Sequence, residues 1–176
     1  MSSFFSNFNV RLILIHLAAF WCFFYGAQTF GFLHDRLFLN PQYAQLRKVE
    51  FPERFQADMT IIEQAGNVGM LIGYVIAWFI ASAKRWHWIN DVIAFGIGMF
   101  LGNMNWFGWG HVYKIFWAPG KIFIGNGFLS YFTDGLVMFA LGLVILYWKP
   151  LVRFIDNGQS KNKAALAAEK KARRVR

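Results

Sequence analysis

Four long apolar stretches alternate with polar ones along the 176 residues, at about 12–33, 60–82, 88–109 and 128–148. At ~1.5 Å per residue, a helix of twenty-odd residues covers the roughly 30 Å hydrocarbon core of a bilayer. The pattern therefore predicts an all-α protein: an antiparallel four-helix bundle integral to a membrane, filling residues 1–153, followed by a basic tail over 154–176. The first run is longer than a signal-peptide core and has no A-x-A cleavage pattern, so it is expected to stay attached. Its aromatic cluster, Phe20, Trp21, Phe23, Phe24 and Tyr25, is read as lipid contact and interhelical packing.

The second stretch carries the most information. Ala65, Gly69, Gly73 and Ala77 recur every fourth residue and form a small-residue ridge that lets another helix come close. Thr60, Glu63, Asn67 and Tyr74 fall on a neighbouring stripe, and a carboxylate there is expected to face protein or a polar pocket rather than lipid. Gly98 and Gly102 repeat the small-residue spacing in the third stretch, for which Asn90 or Asp91 is the expected N-cap.

The connections differ in character. Residues 34–59 are polar, punctuated by Asn40-Pro41 and Pro52, with QYAQLRK and PERFQADM each able to form a short surface helix. Residues 110–127 mix His111, Lys114 and Lys121 with bulky apolar side chains and break at Pro119-Gly120 and Gly125-Asn126-Gly127. Too short for a fifth span, this stretch is expected to be interfacial or re-entrant. Its Gly120-Lys121 lacks the upstream glycine and following Ser/Thr of a phosphate loop.

Composition supports the membrane reading. The chain is 57% hydrophobic and 15% charged, against about 25% charged in an ordinary soluble domain. Net charge is +9, with the basic residues gathered at span ends and in the tail. Lys170, Lys171, Arg173, Arg174 and Arg176 are therefore assigned to lipid headgroups, and no nucleic-acid partner is expected. With both termini on one side, that side carries twelve of the 18 Lys and Arg residues and the other six. The positive-inside rule then puts both termini in the cytoplasm, in an inner or plasma membrane. The single cysteine, Cys22, excludes an intramolecular disulfide.

Candidate chemistry collects in the outer half. Gln28, Glu63, Asn67, Asn103, Asn105 and Asp134 lie within about 11 Å of the outer ends of their helices at ~1.5 Å per residue, with His34 and His111 just above. These eight residues are the candidate ligand-binding set, with Glu63 and Asp134 at its centre. Two carboxylates there could share a proton, bind a cationic group, or join a histidine around a metal. No H-x-x-x-H, E-x-x-H or C-x-x-C pair points to a metal site, and no two span histidines share a depth for haem ligation. Asp91, Arg85 and His87 read as an interfacial charge cluster. Neither a catalytic residue nor a cofactor is assigned.

Glu63, Gly66, Leu71 and Gly73, preceded by a span ending FFYGAQTF and a polar loop, resemble the DoxX-like small four-helix membrane proteins over residues 11–80. Asn67 stands where that pattern usually has glycine. The resemblance implies association with thiol or quinone redox complexes. Without a cysteine pair, that activity is not carried over to this chain. The function expected is a packing or accessory subunit, meeting membrane lipid and either a second copy or a membrane-complex partner, with a polar pocket in its outer half. The alternative is a binding or transport module for a small polar or lipid-derived ligand that uses Glu63 and Asp134.

Overall fold

A computed structural model describes residues 8–34, 46, 48–104, 119–123 and 126–157. Asn105, His111 and the tail cations Lys170, Lys171, Arg173, Arg174 and Arg176 lie outside the described residues, as do the side chains of Asn103 and Lys121. All regular structure among the described residues is helical.

Helix α1, Val10–Gly31, starts where the Asn9 side chain accepts the Leu12 N–H, and it passes into a 3-10 turn at Phe32–His34. Helix α2, Pro52–Ala83, has 32 residues, about 48 Å at ~1.5 Å each. The PERFQADM segment is thus the first two turns of α2 rather than a separate surface helix. Pro52 suits a helix start, and no breaker separates it from Thr60. Helix α3, Ile89–Asn103, has 15 residues, about 22 Å at ~1.5 Å each. Its N-cap is Trp88, which makes no side-chain cap bond. Asn90 and Asp91 are instead in the first turn, because both side chains bond toward α1. Helix α4, Gly127–Tyr147, is capped by Asn126, which accepts the Leu129 N–H. Trp148 is extended, and a short helix, α5, follows over 149–157. Three helices, α1 with its 3-10 extension, α2 and α4, are long and apolar enough to cross a membrane.

Helix α1 is the hub, buried without a break from Cys22 to Thr29. Helix α2 runs back along it, with Ile62 beside Gly31 and Gly73 against Phe20 and Phe23. Between these points Gly69 meets backbone: a Cβ there would run into the Phe23 carbonyl oxygen and Ala27 Cβ. Helix α4 also runs back, since Gly135 lies under Phe30 and Gly142 against Phe23 and Cys22. Helix α3 runs alongside α1 in the same direction, with Asp91 at His16 and Gly102 at Phe24. Small residues at these crossings let backbones approach, and aromatic rings of α1 fill the space between. Phe23 and Phe139 meet edge-on at 5.2 Å between ring centroids.

The arrangement has two ends. At the near end α1 starts, α2 and α4 finish, and α5 packs. At the far end α1 finishes and α2 and α4 start.

Candidate functional site

At the near end, α2 closes in a turn with Arg85 at φ 55°. The Arg85 N–H donates to the Ser82 carbonyl and the Trp86 N–H to the Ala81 carbonyl, which satisfies two of the last helix carbonyls. Trp86 is thereby folded back onto Ala81, Leu12 and Ile155. Its indole N–H donates to Asp156 Oδ1 at 2.8 Å, tying α5 to the turn.

Beneath Trp86 lies a buried imidazole–carboxylate pair. His16 Nδ1 and Asp91 Oδ1 are 2.6 Å apart, and the side chains are 2% and 0% exposed. A carboxylate accepts, so it orients the ring and fixes the hydrogen on Nδ1 in the neutral imidazole. Asp91 Oδ2, also buried, accepts nothing among the described residues. The His16 ring is 5.9 Å from that of Trp86 and 6.0 Å from that of Phe20. Around the pair, the Asn9 N–H donates to Asn90 Oδ1 at 2.8 Å, Asn90 Nδ2 to the His87 carbonyl, and Asn9 Nδ2 to the Ile155 carbonyl. The expected cluster of Asp91, Arg85 and His87 is therefore divided. Asp91 turns inward to His16, Arg85 is exposed, and His87 stacks on Trp88.

The convergence of His16 and Asp91 escaped the sequence reading. Each lies a few residues inside the same end of its helix, and comparing histidine with carboxylate depth would have paired them. Comparing histidines only with one another hid it.

The far-end candidates are dispersed. Glu63 is exposed, whereas Asp134 is 4% exposed and accepts the Gly120 N–H at 2.6 Å. That bond holds the 3-10 turn Pro119–Ile122 hard against α4. A Cβ on Gly120 would collide with the Ser130 carbonyl oxygen. His34 Nδ1 faces the Gly31 carbonyl at 2.6 Å and its Nε2 faces Asp58 Oδ1 at 3.3 Å, closing the end of α1 onto the start of α2. Asp58, absent from the candidate set, is thus engaged, whereas Glu63 has no partner among the described residues.

Gln28 packs against Gly66, the residue before Asn67. The Gln28 Cγ packs where a Cβ on Gly66 would stand, at 2.7 Å, which places the amide beside the turn that carries Asn67. Phe24 fills the same junction and reaches Gly102 of α3. Gln28 Oε1 and Asn67 Oδ1 are both buried and have no hydrogen-bond partner among the described residues. Two such acceptors offer a hydroxyl or amino donor a place to bind. Among the described residues no group of three or more His, Cys, Asp or Glu side chains could hold a metal ion.

No family model, curated protein or solved structure matches this chain. The DoxX-like resemblance rests on the residues quoted for it alone.

Proposed function

We propose that the chain is an integral membrane protein whose four crossings alternate in direction around α1. In this reading it serves as a packing or accessory subunit, joined through its outer helix faces to a second membrane chain or a second copy. The observation that carries the reading is the difference in burial between centre and rim. Half of the apolar window of α1 is buried, against 22% of that of α4, whose outer face presents Phe132, Leu136 and Val144. Water would penalise such a surface by about 25 cal/mol per Å²; lipid or another apolar helix would not. Arg11, Lys84, Arg85, Lys149 and Arg153 at the near end count five against six on the other side, and the seven basic residues of the tail raise the count on the side of the termini to twelve, which supports a cytoplasmic position for both termini. The test is the mass of the detergent-solubilised protein together with lipid-phase cross-linking. A complex heavier than one chain is expected, and a lone chain with nothing co-purifying overturns the accessory reading.

The unpaired Gln28 and Asn67 oxygens favour a second reading, a binding module for a small molecule bearing hydroxyl or amino donors. It shifts the recognition role from the carboxylates to the amides. Mass spectrometry of small molecules extracted with the protein is expected to show a compound retained by Glu63→Gln and lost from Gln28→Met with Asn67→Leu. Retention by the amide variant removes this reading.

A further inference from the structure

A cleft of about 660 Å³ opens at the near end between the last turn of α2, the last turn of α4 and α5. Its upper wall is apolar, with Phe79 and Ile80 from α2 and Leu146 and Tyr147 from α4. Its mouth carries Lys84 from the turn after α2 and Lys149 and Arg153 from α5, with Asp156 the one acidic group in its lining. Asp156 Oδ1 already accepts the Trp86 indole N–H, so one of its oxygens is held back toward the turn. The three cations are exposed, and none is in an ion pair among the described residues.

We infer that this cleft is a binding site for one anionic phospholipid, a role distinct from the general attraction of the tail to headgroups. The inference rests on the membrane-spanning reading above and names a ligand for its near end. Charge and shape agree on the occupant. Three cations converge where α2 and α4 end, the level at which headgroup phosphates lie, and the exposed Tyr147 and Trp148 mark that level with interfacial aromatics. The apolar wall of Phe79, Ile80, Leu146 and Tyr147 adjoins the cations over the last turns of α2 and α4, and the head of an acyl chain lies along it while the phosphate meets the cations. Free phosphate would fill the mouth and leave the wall empty, whereas a zwitterionic lipid would fill the wall and bring its own cation to the mouth. Basic pockets between helix ends select anionic headgroups in this way.

The experiment compares full-length protein released from bilayers of phosphatidylcholine containing phosphatidylglycerol, with retained lipid counted by native mass spectrometry. Wild type is expected to keep one phosphatidylglycerol in preference to phosphatidylcholine. Each of K84Q, K149Q and R153Q should weaken that preference roughly fivefold, and the triple variant should abolish it. A chain with Lys170, Lys171, Arg173, Arg174 and Arg176 all changed to glutamine should behave as wild type. Three results overturn the site: undiminished preference in the triple variant, loss of preference in the tail variant, or displacement of the lipid by millimolar inorganic phosphate. Alkaline carbonate extraction of the same membranes separates the two levels of inference. Protein that stays in the membrane yet keeps no phosphatidylglycerol defeats this site alone. Protein that is extracted defeats the membrane reading beneath it.

Discussion

The two ends of α1 treat their polar side chains differently. At the near end, histidine, carboxylate and amides from α1 and α3 bond to one another and to the backbone of α5, although Asp91 Oδ2 has no partner among the described residues. At the far end, Asp134 and His34 tie short turns to neighbouring helices, and Gln28 and Asn67 keep buried oxygens to which no group among the described residues donates. Polar residues that look alike in sequence thus divide into fasteners and open acceptors. A polar residue inside a membrane-length helix is a candidate for function only after its partners are counted.

The largest expected effect breaks the near end. His16→Leu leaves Asp91 buried, with both oxygens then lacking a partner among the described residues. The expected loss is about 3–5 kcal/mol of unfolding free energy, the range for leaving a buried carboxylate without its partner. Combining His16→Leu with Asp91→Leu should restore most of it, because the pair is then replaced by packed apolar groups. Denaturation by SDS in mixed micelles, followed by circular dichroism, measures both. Interhelical hydrogen bonds in membranes average only ~0.6 kcal/mol, so a loss that small for His16→Leu would make the pair ordinary helix glue and erase the contrast between the ends.

The far end should respond with the opposite sign. Gln28→Met keeps an unbranched side chain on the path beside Gly66 and removes the unpaired amide. In unliganded protein the same denaturation is expected to show a gain of about 1 kcal/mol, since a buried acceptor without a donor costs roughly 1–3 kcal/mol. A loss of similar size would mean that Gln28 has a hydrogen-bonding partner after all, and the two ends would be alike.

This contrast explains what the sequence could and could not disclose. Membrane-length apolar runs are a property of composition over twenty residues, so α1, α4 and the end of α2 were legible within a few positions. Gly69, Gly73 and Ala77 were legible too, because helical spacing alone puts them on one face. The 52–59 extension of α2 was not, since charged residues can continue a helix beyond the apolar part as easily as leave it. Pairing of His16 with Asp91, or of Asp134 with the Gly120 N–H, depends on rotation and depth of one helix against another. Periodicity within a single helix leaves both free. Glu63 illustrates the same limit, for its stripe is real while the face of α2 that meets α1 is the neighbouring one, carrying Gly66, Gly69 and Gly73.

The smallest gain concerns the turn that covers the near-end pair. Arg85 adopts φ 55°, a conformation that costs an L-residue roughly 1–2 kcal/mol and glycine little. Glycine regains less than that difference, because it also adds freedom to the unfolded chain. Arg85→Gly is therefore expected to stabilise by about 0.5 kcal/mol, and Arg85→Val, β-branched and crowded at positive φ, to destabilise by more than 1 kcal/mol. Both read the same geometry, the bonds that fold Trp86 over His16 and hold its indole to Asp156. If valine is tolerated as well as glycine, the backbone there is not held left-handed, and Trp86 does not depend on this turn to close over the pair. A drop with glycine as large as with valine would point instead to the arginine side chain, one residue from Lys84 at the mouth of the near-end cleft.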